Sequence, residues 1–83
     1  MNRYKRLAQY VLRMRNKEES VLVHKSIFGI THSLPRLTLV REYDFLGDDY
    51  YLKINTCVRD FFPKVKTFRI SKTGYEIILR SFK

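Results

Sequence analysis

The sequence is poor in cysteine, glycine, proline and acidic residues. It contains one cysteine, three glycines, two prolines and eight acidic residues among 83. A single cysteine excludes an internal disulfide and any zinc site built from several thiolates. Three scattered glycines leave no glycine-rich loop of the kind that wraps a phosphate group. We therefore predict that the chain uses no disulfide, no metal and no cofactor.

Long apolar runs are also missing. No stretch approaches the roughly 18 apolar residues that a membrane-spanning helix needs. The N-terminus is basic, but its charged residues continue through Arg15 without the apolar segment of a signal peptide. Together with the lone thiol, these features predict a cytoplasmic protein with no membrane partner. Residues 1–83 are expected to form a single domain, because a chain of this length supports one core.

Positive charge is what the sequence has in abundance. Seventeen Lys and Arg residues against eight acidic residues give a net charge of +9. Residues 1–17 carry six cations and no anion, residues 18–52 three cations and six anions, and residues 53–83 eight cations and two anions. Both ends are therefore basic and the middle is mildly acidic. Clustered cations with aromatic residues among them are typical of proteins that bind nucleic acid.

The first basic segment has the periodicity of an amphipathic helix. Residues 3–17 are mostly good helix formers without Gly or Pro, and the helix is expected to end near residues 16–19. Leu12 is expected to widen the apolar stripe of this helix. The stripe itself consists of residues at helical spacing: Tyr4, Leu7, Ala8, Val11 and Met14.

A second stripe on the same helix gives the sharpest functional prediction. Its members alternate at spacings of three and four residues and extend about 21 Å along the helix: Arg3, Arg6, Tyr10, Arg13 and Lys17. Such a row can follow a sugar–phosphate backbone, and Tyr10 in its middle can stack on an exposed base. The alternative is the ordinary solvated face of a surface helix. Three arginines without a compensating Glu four residues away favour binding.

The rest of the chain is predicted to form strands and turns. Apolar alternation and turn residues predict this order: a strand at residues 21–27 that Gly29 bends or ends, a loop at 31–35, a strand at 37–45, a turn at 46–49 and a strand through residues 50–54. Residues 55–63 are ambiguous, because Asn55 or Thr56 can cap a short helical turn that Pro63 stops.

The final segment is predicted to form a β-hairpin. Its strands are residues 65–70 and 75–82, and Gly74 takes the left-handed position of the turn between them. This register places Arg69 near Glu76. We therefore predict an α+β domain with an N-terminal amphipathic helix packed on an antiparallel sheet of four or five strands.

A second basic group lies on this predicted hairpin: Lys64, Lys66, Arg69, Lys72 and Arg80. Lys64 and Lys66 share one strand face. Together with Lys72 they join the helical stripe in the predicted nucleic-acid-binding set. The alternative is that these lysines protect an exposed edge strand from aggregation.

Catalytic residues are harder to find. His24 is predicted to lie on a strand surface and His32 in a loop, and neither has acid–base partners at a recognisable spacing. Asp44, Asp48 and Asp49 lack the length and the closing Glu of a calcium loop, so they are assigned to a turn. We therefore predict a non-enzymatic protein without catalytic residues.

Length, charge, aromatic content and the opening Met-Asn-Arg-Tyr-Lys-Arg resemble the small basic early proteins of T-even-type phages. Among these the chain is most similar to the TifA-like RNA-binding inhibitors of the ToxIN toxin–antitoxin system. The resemblance implies a phage antitoxin-like protein for evasion of host defence. Such a protein would act in the host cytoplasm by binding RNA, a host ribonucleoprotein or a nuclease, without catalysis.

Three functions remain open from the sequence. The first is an RNA-binding module that inhibits a host nuclease or toxin–antitoxin complex. RNA ranks above DNA because aromatics interleave with cations and no groove-reading motif is present. The second is a small RelE-like ribonuclease toxin, although that family normally begins with a strand and paired helices. The third is an inhibitor whose cations dock on an acidic protein surface. The oligomeric state is left open.

Overall fold

The computed structural model describes residues 3–17, 20–55 and 64–83. The elements follow in this order: α1 (Arg3–Asn16), β1 (Leu22–Ser26), β2 (Gly29–Leu34), β3 (Leu37–Asp44), β4 (Gly47–Asn55), β5 (Val65–Ile70) and α2 (Lys72–Phe82). The predicted α+β class, with an N-terminal helix on an antiparallel sheet, is therefore confirmed. Of the ambiguous segment at residues 55–63, Asn55 is the last residue of β4, and residues 56–63 lie outside the described residues.

The sheet is a meander in which the strands lie in sequence order and every neighbouring pair is antiparallel. In its central pair, Leu39 of β3 lies opposite Leu52 of β4. Because side chains alternate between the two faces of a strand, this register gathers the large apolar residues on one face. Both described helices pack on that face.

The core lies between this face and the two helices. Three side chains in it are 0% exposed, namely Val11 of α1, Leu39 of β3 and Ile78 of α2. The other buried members of the cluster come from the sheet and from α2: Leu34, Leu37, Tyr50, Leu52, Ile70, Tyr75 and Phe82. Each such burial is worth about 1.5–3 kcal/mol, so the fold depends on both helices remaining in place.

Helix α1 buries a narrower apolar stripe than predicted. Val11 is fully buried, and Tyr4, Leu7 and Met14 pack against the core while remaining partly exposed. Leu12, which was expected to widen the stripe, is instead 42% exposed. It follows Val11 directly, and one residue step turns a helical side chain by about 100° away from the core.

The predicted C-terminal hairpin is wrong, because its second strand is helix α2. The Oγ of Ser71 accepts a hydrogen bond from the backbone N–H of Gly74 at 3.1 Å and so caps the start of this helix. The apolar residues that follow have helical spacing and pack into the core: Tyr75, Ile78, Leu79 and Phe82. The predicted pair of Arg69 with Glu76 is lost with the hairpin, and Arg69 pairs instead with Asp49 at 2.9 Å.

The boundaries of the strands also differ from the prediction. Residues 31–34 belong to β2 rather than to a loop, so His32 lies in a strand. Pro35 does not interrupt the ladder, because it lies in the turn beyond the last paired residue. The predicted turn at residues 46–49 is shorter, since β4 already begins at Gly47, whose φ of 138° favours glycine.

The two helices lie side by side and run in the same direction. Near their starts, the ring of Tyr4 lies against Gly74, and a Cβ at that glycine would come within 2.7 Å of the ring. Near their ends, the guanidinium of Arg15 donates a hydrogen bond to the backbone carbonyl of Lys83. Glycine at position 74 thus permits the close approach of α1 to α2.

Candidate nucleic-acid interface

The predicted stripe on α1 lies on one flank of the helix. Four of its members are exposed: Arg3, Arg6, Arg13 and Lys17. At 100° per residue, Tyr4 and Arg15 lie on one side of the buried Val11 and the four cations lie on the other. Because Tyr4 and Arg15 contact α2, Arg6, Arg13 and Lys17 occupy the flank that faces away from α2. Arg3 starts on the same flank, but its guanidinium lies over the ring of Tyr4.

Tyr10 lies in the middle of this stripe but is partly buried. It lines an apolar cavity of about 240 Å³ together with Leu7, Leu37 and Ile54, and Arg36 borders the same cavity. The ring therefore packs against the core in addition to facing the stripe. Its helical direction, roughly perpendicular to that of Val11, places it at the edge between core and solvent.

Two cations from the sheet lie beside the stripe. Arg36 is exposed in the turn between β2 and β3 and borders the cavity that Tyr10 lines. Lys66 of β5 is the register partner of Ile54, and Ile54 lines a second small cavity together with Arg3. We call the whole set the basic surface. It consists of six exposed residues: Arg3, Arg6, Arg13, Lys17, Arg36 and Lys66.

The structure separates the remaining two predicted binding residues. Lys64 is exposed and directly precedes β5, at the end of the sheet where Arg36 lies. Lys72 is the first residue of α2 and lines a cavity with Asp48, Asp49 and Arg69 at the other end. The lysines of the predicted hairpin therefore do not form one patch. Lys66 lies beside the cations of α1 because β5 pairs with β4. Lys72 lies far from them, because residues 72–82 form α2 and not the second strand of a hairpin.

Acidic groups concentrate at the end of the sheet that carries Lys72. Of the five acidic residues in the described part of the chain, four lie near the turn between β3 and β4: Glu42, Asp44, Asp48 and Asp49. Asp48 is paired with Arg41 at 2.9 Å, and Asp49 with Arg69. Strand β3 has eight residues, so this end lies about 27 Å from the turn that holds Arg36. Four described carboxylates thus lie at one end of the sheet, where Arg41, Arg69 and Lys72 also lie, and away from the cations of α1.

The surroundings of two titratable side chains, Tyr4 and His32, lower the pKa of each. A hydrogen bond from Arg3 lowers the pKa of Tyr4, and the Arg3 guanidinium lies 5.3 Å from the centre of the Tyr4 ring. Burial lowers the pKa of His32, and the charges of Lys83 and Lys25 lower it further. The His32 ring lies under α2, 5.8 Å from the ring of Phe82. His32 is therefore neutral near pH 7 and adds no charge to the basic surface.

The described residues contain neither a cluster of metal ligands nor a membrane-spanning helix. No group of three His, Cys, Asp or Glu side chains in residues 3–17, 20–55 and 64–83 is placed to hold a metal ion. Neither α1 nor α2 is long and apolar enough to cross a membrane. What the arrangement offers chemically is a row of cations that can contact successive phosphates.

Comparison with known protein families, with curated proteins and with solved structures finds no match to this chain.

Proposed function

We propose that this chain is a non-enzymatic RNA-binding protein whose basic surface contacts the sugar–phosphate backbone. The observation that supports this function is the segregation of charge. Six exposed cations gather along α1 and the adjacent end of the sheet, whereas four of the five described carboxylates lie at the opposite end. A phosphate strand on the basic surface would be attracted by these six cations, and it would lie far from four of the five described carboxylates.

Aromatic residues beside the cations favour single-stranded RNA as the ligand. Phe68 is exposed on β5, lines a cavity with Arg3 and lies two residues from Lys66. Tyr10 lies among the cations of α1, with part of its ring accessible. Exposed rings between cations can stack on unpaired bases while the cations hold the phosphates.

The experiment that tests this proposal compares two double charge reversals. The first variant is Arg6→Glu/Arg13→Glu, within the basic surface. The control is Lys5→Glu/Lys53→Glu, which changes the net charge equally on the opposite flank of α1 and on the sheet face that the described helices leave uncovered. Affinity for a fluorescent single-stranded RNA of mixed sequence is measured by anisotropy.

We expect the first variant to lose about tenfold or more in affinity and the control to lose less than about threefold. Surface changes of this kind usually alter stability by no more than about 0.5 kcal/mol, and circular dichroism confirms that both variants fold. Equal losses in the two variants would show that overall charge, and not this surface, drives binding. Absence of binding by the unchanged protein would refute the function itself.

RNA capture gives the protein a route to inhibition. We propose that it blocks a host nuclease or toxin–antitoxin complex by occupying the RNA of that complex, as its resemblance to phage inhibitors implies. Purification with and without nuclease treatment, followed by sequencing of the bound RNA, tests this role. A target that stays bound after the RNA is digested would favour the alternative of a protein-only inhibitor.

A further inference from the structure

Two neighbouring turns expose large apolar side chains at the acidic end of the sheet. Ile27 and Phe28 form the turn between β1 and β2, and Phe45 and Leu46 form the turn between β3 and β4. These four side chains, which we call the apolar tip, are between 74% and 104% exposed. The turns are adjacent, because the backbone N–H of Tyr43 donates a hydrogen bond to the carbonyl of Phe28 at 3.1 Å. Apolar clusters of this kind on a soluble surface typically mark a site of interaction.

Carboxylates beside the apolar tip restrict what can cover it. Neither Glu42 nor Asp44 forms an ion pair within the described residues, so both keep their negative charge available. The Oδ1 of Asp44 accepts hydrogen bonds from the backbone N–H groups of Leu46 and Gly47, which fixes this carboxylate next to the tip. Anionic lipid headgroups and RNA phosphates would be repelled here. The matching partner is a protein surface with an apolar hollow and cations around it.

The chain itself carries such a surface at its other end. The cavity beside Tyr10 is apolar, is bordered by Arg36 and lies within the basic surface. Its volume of about 240 Å³ falls below the roughly 300–1,000 Å³ of small-molecule sites, and it suits one large side chain better than a ligand. An apolar hollow with cations thus complements an apolar tip with carboxylates.

We propose that a second copy of this chain occupies the cavity, with the apolar tip of one copy docked on the basic surface of the next. Phe45 or Leu46 fills the hollow beside Tyr10, and Glu42 and Asp44 face Arg36 and its neighbours. The tip would then compete with RNA for the same cations. This regulation rests on the proposed RNA-binding function, whereas the contact between copies does not.

The contact is heterologous, because tip and cavity lie at opposite ends of the sheet. Each added copy leaves one tip and one cavity free, so copies continue to add until a ring closes or, without closure, an open chain forms. The net charge of +9 opposes association, but at physiological salt charges more than about 8 Å apart are largely screened and the local match prevails. We therefore expect weak, concentration-dependent association that RNA disperses.

Sedimentation velocity on two complementary variants tests the contact. The tip variant is Phe45→Ser/Leu46→Ser, and the surface variant is Arg6→Glu/Arg36→Glu. All four positions are exposed, so neither variant loses core packing, and thermal unfolding confirms that both fold. The sedimentation coefficient of the unchanged protein should rise with concentration, whereas each variant alone should remain monomeric. An equal mixture of the two should form a heterodimer and nothing larger, because only one productive contact remains.

Other results would overturn the proposal in distinguishable ways. An unchanged protein that stays monomeric at every concentration excludes a second copy as the partner. Self-association of the surface variant alone indicates contact between two tips. Tip-dependent binding to phosphatidylcholine vesicles assigns the tip to lipid. If the heterodimer forms but the unchanged protein binds no RNA, the contact is supported and the RNA function fails. If RNA binds without dispersing the assembly, the proposal that tip and RNA compete for the basic surface is wrong.

Discussion

The basic surface predicts a specific salt dependence for RNA binding. If each of its six cations neutralises one phosphate of a single strand, the logarithm of the affinity should fall with the logarithm of salt with a slope of about −4. Between 50 and 200 mM salt the affinity would then fall about 300-fold. Arg6→Glu/Arg13→Glu removes two of the six contacts. Its slope should be about −3, which corresponds to a fall of about 50-fold over the same range.

Anisotropy titrations of a labelled RNA at several salt concentrations measure these slopes. The protein is kept dilute, so that contacts between copies do not compete. The control Lys5→Glu/Lys53→Glu should keep the slope of the unchanged protein even if its affinity falls slightly. The reasoning is refuted if Arg6→Glu/Arg13→Glu keeps the original slope, or if the control loses as much slope. A slope near zero in the unchanged protein would exclude phosphate contacts as the source of affinity.

Two further predictions concern stability. Burial lowers the pKa of His32 in the folded protein, so the neutral ring contributes to folding stability above the unfolded pKa of about 6.5. This stability is lost as the pH falls below that value, because the unfolded chain takes up the proton first. Urea unfolding between pH 7.5 and 5.5 should show this loss, at most about 1.4 kcal/mol per pH unit, and His32→Gln should reduce it. Ser71→Ala should cost about 1 kcal/mol of unfolding free energy, because the Gly74 N–H loses its acceptor. Ser71→Thr should restore most of it, and an equal loss in both variants would contradict capping.

Helix α1 and the hairpin of β3 and β4 could be predicted because local pattern and tertiary environment agree there. The apolar residues of α1 recur with the helical period and no residue breaks it. In β3 and β4, Leu37, Leu39 and Leu52 recur at alternate positions of their strands, and Leu39 lies opposite Leu52 in the core. The apolar pattern is enough to predict an element when the face that it makes apolar is also the face that the fold buries.

Helix α2 shows where local signals conflict. Ile77 and Ile78 favour a strand, and the preceding Gly74 is typical of a turn. The helix forms because Ser71 caps it and because its apolar face fills the space above the sheet. Its sequence signals were the cap and the spacing of four residues: Tyr75, Ile78, Leu79 and Phe82. The cap and tertiary packing therefore override the local strand signals on which the hairpin prediction rested.

The candidate site was predictable only where one element carries it. Spacing on a helix fixes direction, so the common flank of Arg6 and Arg13 followed from the sequence. Arg36 could not be predicted in this way, because the turn between β2 and β3 lies beside α1 only once the strands have paired in their observed order. The apolar tip was missed for a similar reason, since Phe28 and Phe45 become neighbours only when β2 pairs with β3.

The parallel pairing of the helices has a consequence for synthesis on the ribosome. Helix α1 emerges before the sheet and its neighbour α2 emerges after it, and the contact of Arg15 with Lys83 spans 68 residues. The meander between them can form hairpin by hairpin, because its pairings are local. The apolar side of α1 therefore cannot complete its packing until residues 72–82 have been synthesised, whereas its arginines are exposed to solvent from the start. Under the proposed function, a nascent chain would hold RNA only loosely through these arginines, and the fixed row of cations would be complete only when α2 has folded against Tyr4.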